Sequence, residues 1–356
     1  MQRAWVQMFR TCFALALAAS AGTVSAATPA ESAQTPAAFW NFPPVLVNAR
    51  GQPVTSVAGW KRTRAALRQT WQTVLGPLPR RKAPLSPQTL DTEHCDGFTR
   101  EHVRYQVEEG IWTDGYLLTP NAHARRRAAV VVFHPTTPSH ARAMVGLDLD
   151  YPEEKRQGLH LVARGFVVWC PRNYIFDEGA DWAGNARRVL ERHPEWTGMT
   201  RMLWDAVRAA DFVASLPGVD RRRIGCLGHS LGAKQVLYAM AFDERYRAGV
   251  FSEGGIGLRF SNWDAPWYLG ARVPTPDSGL DHHQLLALIA PRAFLLVAGG
   301  SADRAGSRAC LEAARPVYQL LGATENLEWA EHHAGHRYPP EARAVAEAFL
   351  QRHLGP

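Results

Sequence analysis

The sequence predicts an α/β fold in which a mostly parallel sheet is covered by helices on both faces, and three observations predict it. Beyond Pro120, short apolar runs alternate with stretches of helical periodicity. The runs are apolar at successive positions rather than at every second one, as strands buried on both faces require. The segments between them all exceed the dozen or so residues that the crossover connections of parallel strands need.

Taken in order, residues 1–26 carry Arg3 and Arg10, an apolar stretch over 12–19 and the small residues Val24, Ser25 and Ala26. That is the order of a secretory signal peptide cleaved after about Ala26. Its apolar stretch and the strands are too short to span a bilayer, so an exported protein, periplasmic or extracellular, with no stable membrane insertion is expected. Residues 27–58, rich in Ala, Pro, Ser and Thr, read as an extended lead-in, and residues 59–356 as a single domain.

The spacing predicts a helix over 59–75, with Trp60, Leu67, Trp71 and Val74 sharing a face and Gly76-Pro77 closing it. Strands over 101–108 and 111–118, joined at Glu109-Gly110, read as a hairpin. The apolar runs then fall at 128–133, 166–170, 223–227, 248–251, 293–297 and 327–330, and helices at 153–164, 199–216, 231–242, 307–321 and 340–353. This count is an eight-stranded sheet whose first two strands are antiparallel. Two long inserts, 171–197 and 254–281, interrupt it at strand C-terminal ends, where parallel sheets bind ligands. Both are aromatic, with Tyr174, Trp182 and Trp196 in the first and Trp263, Trp267 and Tyr268 in the second. They read either as a satellite core or as the wall of a site for a ring-shaped substrate, with Trp267 a candidate substrate contact.

Forty Lys and Arg against 33 Asp and Glu give a net charge of +7, but the Arg residues are scattered rather than gathered in a stripe. Nucleic acid is therefore not an expected partner. Cys95, Cys170, Cys226 and Cys310 remain beyond the leader, enough for up to two disulfides in an oxidising compartment, and spacing does not choose a pairing. None has the spacing of a zinc site, and neither a metal nor an organic cofactor is expected.

The chemistry is carried by Gly228-His229-Ser230-Leu231-Gly232. An apolar strand runs into this pentapeptide and a helix continues from it, the setting in which a strained turn thrusts a nucleophilic hydroxyl out at the sheet edge. A serine hydroxyl needs a neutral imidazole to accept its proton. His332, His333 and His336 lie between the last apolar run and the final helix. His336, beside the conformationally free Gly335, is the expected base, with His333 in reserve. The carboxylate that orients the base is expected from Asp303, after the run 293–297, or from the competing Glu253, after the run 248–251; Asp303 is favoured by the chain order Ser, Asp, His. Oxyanion donors are expected from the N–H of Leu231 and from the loop His134-Pro135-Thr136-Thr137, where Thr136 is the choice and Pro135 has no N–H to give.

With the pentapeptide extended to Lys234, the stretches Asp243-Glu244-Arg245, Ser252-Glu253-Gly254-Gly255 and the run from Asp281-His282-His283 to Pro291-Arg292 resemble bacterial carbohydrate esterases of the α/β-hydrolase superfamily. The similarity is to acetyl xylan esterases and glucuronoyl esterases and, more loosely, to dienelactone hydrolases. It implies the α/β-hydrolase fold, a serine esterase working through an acyl-enzyme on Ser230, a small-molecule or carbohydrate ester substrate, and a sugar-contacting Lys234; alternatively, Lys234 is a solvated helix residue. Glucuronoyl esterases commonly carry Arg directly after the nucleophile, where this chain has Leu231, a departure that turns the expectation toward acetyl or other small acyl esters. The rival readings are a serine peptidase of the same fold and a catalytically silent binding module.

Overall fold

The computed structural model describes residues 41–122 and 126–355; the expected leader over 1–26 and residues 27–40 of the expected lead-in lie outside them. Its sheet has nine strands in the order β1-β2-β3-β5-β4-β6-β7-β8-β9. Strands β1 (Gln88–Cys95), β2 (Phe98–Glu108) and β3 (Ile111–Pro120) form an antiparallel ladder that joins β5 (Val167–Pro171) through β3. From β5 onward, β4 (Arg127–Phe133), β6 (Val219–His229), β7 (Tyr246–Ser252), β8 (Ala293–Ala298) and β9 (Leu327–Glu331) pair in parallel.

The expectation of eight strands is corrected by β1. Its segment QTLDTEHC is exposed along almost its whole length and lacks the apolar alternation that marks a half-buried strand. As the outermost strand it needs only the backbone ladder to β2.

Side-chain alternation divides the core between the two faces of the sheet. On β4, Ala129, Val131 and Phe133 join the cluster under α1 (Val57–Leu75), α5 (Gly198–Ser215), α6 (Leu231–Phe242), α7 (His283–Ile289) and α8 (Ala305–Leu320). Ala128, Val130 and Val132 face the opposite layer of α2 (Ala141–Met144), α3 (Gln157–Ala163) and α9 (Pro340–Leu354). The remaining helix, α4 (Trp182–Arg192), belongs to the first insert.

Helix α1 starts where the Ser56 hydroxyl accepts the Gly59 N–H at 3.1 Å, and it stops at Gly76, whose φ of 87° suits glycine alone. A Cβ at Gly76 would overlap the carbonyl of Glu195, so this stop also fixes how α1 meets the first insert. Residues 42–58 differ from an extended lead-in: they belong to the same compact unit as the rest, with Val45 and Val54 buried and the Phe42 ring 5.0 Å from that of His283. All four described cysteines are free thiols, three of them buried, so the structure forms neither of the two disulfides that the count permitted. No helix among the described residues is long and apolar enough to cross a membrane.

Candidate active site

The site sits at the C-terminal ends of the parallel strands, and its centre is the turn between β6 and α6. Ser230 has φ 57° and ψ −117°, a region that side chains other than glycine rarely occupy. The turn is held because the Ser230 N–H donates to the Ser252 carbonyl at 2.8 Å, and because two glycines let the backbones close. A Cβ on Gly228 would strike the backbone of Gly232, and one on Gly232 would fall on the Phe133 carbonyl at the end of β4. This second approach sets the loop from His134 to Thr137 beside the first turn of α6. The two expected oxyanion sources, Leu231 and Thr136, therefore come from adjoining segments; helix-start N–H groups such as that of Leu231 have no acceptor within their own helix.

The imidazole of His336 lies on Ser230, with Nε2 2.8 Å from Oγ. Its loop is fastened to the end of β8: the His332 N–H donates to the Ala298 carbonyl at 3.0 Å, and the Gly335 N–H to the Gly299 carbonyl at 2.8 Å. Gly335 takes φ 70°, the freedom its sequence position suggested. His333, the reserve base, points elsewhere: its side chain is 79% exposed and its nearest charged partner is Glu331 at 3.5 Å.

The structure corrects the preferred carboxylate. Glu253 Oε2, not Asp303, meets His336 Nδ1, at 3.3 Å. The Glu253 carboxylate is fully buried and also accepts the N–H groups of Gly299 at 2.5 Å, Ala302 at 2.8 Å and Asp303 at 3.2 Å. Burial alone would raise its pKa, but the hydrogen bonds from His336 and from those N–H groups outweigh it and hold the carboxyl below the ordinary glutamate range. Asp303 faces the other way, accepting the N–H groups of Gly255 and Ile256 and the Ser307 hydroxyl. Chain order favoured Asp303 because it cannot register which way a loop carboxylate points.

Three buried histidines were not singled out from the sequence for these positions. His134 donates from Nδ1 to the Pro135 carbonyl and accepts the Asn173 N–H at Nε2, which fixes a neutral tautomer; burial lowers its pKa to about 3. His229, whose ring centroid is 5.0 Å from that of His336, pairs Nδ1 with the Ser252 hydroxyl, and burial holds it well below the ordinary imidazole range. His282 lies under the second insert between the Tyr238 hydroxyl at 2.8 Å and the Ile256 carbonyl at 2.5 Å. The signal for all three was their position beside an apolar run.

Lys234, one turn beyond Ser230, is not a solvated helix residue. It is 4% exposed, donates to the Ser261 hydroxyl at 2.6 Å, and its ammonium lies 3.9 Å and 4.8 Å from the ring centroids of Trp263 and Tyr268. Burial, partly offset by Asp303 and Asp264, lowers its pKa to about 7. In the inserts, Tyr174, Trp196, Trp263 and Tyr268 are buried in the main cluster on that face of the sheet rather than in a satellite core of their own, whereas Trp182 and Trp267 are half-exposed and meet edge to face at 5.6 Å. Trp267 thus joins the two inserts and leaves part of its ring open.

No family model matches the chain. Among curated proteins it is similar to the 4-O-methyl-glucuronoyl methylesterase 1 of Sodiomyces alcalophilus, 29% identical over 164 residues, covering 37% of this chain and 33% of that protein. It is also similar to the 4-O-methyl-glucuronoyl methylesterase of Hypocrea jecorina (strain QM6a), 29% identical over 188 residues, covering 44% and 40%. The chain thus spans less than half the length of these curated relatives. Among solved structures, a glucuronoyl esterase from Solibacter usitatus superposes with a TM-score of 0.74 at 21% identity, over 92% of this chain and 100% of that one. The chain has the α/β-hydrolase fold. In this fold, the Ser230 turn, the Glu253 carboxylate and the His336 imidazole hang from β6, β7 and the loop after β9, and both inserts rise from the same edge of the sheet.

Proposed function

We propose that this α/β-hydrolase is an exported serine carboxylic-ester hydrolase that acts on carbohydrate-linked esters through an acyl-enzyme on Ser230. The observation that carries the reading is the unbroken chain from Ser230 Oγ through His336 to the buried Glu253. Glu253, accepting at Nδ1, keeps that nitrogen protonated and leaves Nε2 free to take the serine proton. Oγ then bonds to the acyl carbon, and the carbonyl electron pair moves onto oxygen beside the Leu231 and Thr136 N–H groups. Collapse breaks the bond to the alcohol, which leaves with the proton held by His336. Water, deprotonated by the same nitrogen, releases the acid and restores Ser230. The triad residues supply this sequence without metal or organic cofactor.

The relatives, two of them named as glucuronoyl methylesterases, support a sugar ester as substrate. The half-exposed Trp267 supports stacking of a sugar ring, and Lys234, on the nucleophile's helix, lies against Trp263 and Tyr268 of the same insert. Leu231, apolar and 1% exposed where the resemblance implies Arg, favours an acetyl or other small acyl group over a uronic acid ester.

The test is a substrate panel of acetylated xylooligosaccharides, methyl glucuronate esters, aryl esters and a lactone, run beside a fluorophosphonate probe. Ser230→Ala and His336→Ala are expected to lower kcat by about 10⁴-fold or more while circular dichroism stays unchanged. Probe labelling that survives Ser230→Ala would overturn the assignment, and a lack of turnover across the panel would favour a binding module.

A further inference from the structure

We infer that Asp303 is a positioning residue that acts through Glu253, the two acids forming a reciprocal clasp between the loop after β7 and the loop after β8. The inference rests on the reading of Ser230, His336 and Glu253 as the catalytic set. Each carboxylate grips the backbone that carries the other. Glu253 accepts the N–H of Asp303 and those of its neighbours Ala302 and Gly299, while Asp303 accepts the N–H groups of Gly255 and Ile256 at 2.9 Å each. Both side chains are fully buried, and the Ser307 hydroxyl at 2.7 Å ties Asp303 to the first turn of α8.

The clasp has a strained conformation to hold. Glu253 has φ 49°, a left-handed backbone that a non-glycine residue keeps only where its surroundings impose it. On its N-terminal side the constraint is its own N–H donating to the Val297 carbonyl at 3.1 Å; on its C-terminal side it is Asp303. Without an acceptor there, the N–H groups of Gly255 and Ile256 are buried unpaired, and the peptide following Glu253 turns to find partners. The bond from His336 to Glu253 is already long for a charge-assisted contact, so a small rotation of that peptide takes the carboxylate out of reach. Asp303 thus controls the histidine without touching it.

The experiment is a double-mutant cycle on para-nitrophenyl acetate hydrolysis with Asp303→Asn, Glu253→Gln and the pair, reading kcat, KM and the acid limb of the pH profile. The amide at position 303 keeps one acceptor oxygen but turns an NH₂ toward a donor. Alone it is expected to lower kcat about 10- to 100-fold with KM changed by less than about twofold. In the Glu253→Gln background it is expected to change kcat by less than about threefold and leave the acid limb where Glu253→Gln puts it. A further loss of about 10-fold or more in that background would make Asp303 an independent partner of the histidine and overturn the inference. A kcat within about twofold of the parent for Asp303→Asn alone would also overturn it. If Asp303→Asn does not fold, Ser307→Ala loosens the same carboxylate and is read in the same cycle. Turnover that survives Ser230→Ala would instead defeat the catalytic reading itself, whatever the cycle gives.

Discussion

Replacing Lys234 with methionine keeps an unbranched side chain, one atom shorter, and removes an ammonium that the fold holds out of water. The lysine pKa falls from 10.5 to about 7 on folding. The gap, 10.5 − 7 or about 3.5 pH units, at 1.36 kcal/mol each is about 5 kcal/mol of destabilisation, fully present below pH 7. Between pH 7 and 10.5 the unfolded chain holds a proton that the native chain lacks, so the parent's stability rises with pH across that window. From pH 6 to pH 9 this gain is about 2.5 kcal/mol, and the methionine variant lacks it. Lys234→Met also loses the bond to Ser261 and the contact with Trp263, so the prediction concerns the slope and not the sign at one pH. Urea unfolding of both proteins at pH 6, 7.5 and 9 measures it, since other titrating groups cancel in the difference. A difference that stays constant to within about 0.5 kcal/mol would refute the argument, because it would mean that the ammonium reaches water in the native state.

Gly232→Ala drives a methyl group onto the Phe133 carbonyl. It is expected to cost about 1–3 kcal/mol, read in thermal melts, and at least about 10-fold in turnover as α6 moves off the β4 loop. Trp267→Ala is expected to raise KM for acetylated oligosaccharides by about 10-fold while leaving para-nitrophenyl acetate turnover within about twofold, which a kinetic comparison of the two substrates checks.

The parallel sheet was legible because β4, β7 and β8 are buried on both faces and read as continuous apolar runs. β1 was not, since an exposed edge strand has no burial to encode. Helix α4 repeats Trp182, Ala186 and Val189 at helical spacing, the same signal that marks α1, but it is enclosed in an insert flanked by loop-like sequence. At the site, Ser230 and His336 were legible because chain order and glycine positions constrain them. Glu253 and Asp303 were not separable, because their difference lies in the direction each carboxylate faces across a few ångströms. Burial of Lys234 was hidden for a related reason: the aromatic residues that cover it lie in an insert with no periodicity of its own.

The two inserts meet at Trp182 and Trp267 but are attached to the molecule in different ways. The first leaves the sheet after β5, a strand that carries none of the three linked side chains. The second begins at Gly254, the residue after Glu253, and Asp281 and His282 stitch it back onto Leu258 and Ile256. For anyone re-engineering the substrate range, the first insert is the more exchangeable module, provided that Asn173 stays to hold His134. Grafting a new second insert transmits changes in its length directly into the Glu253 carboxylate that meets His336.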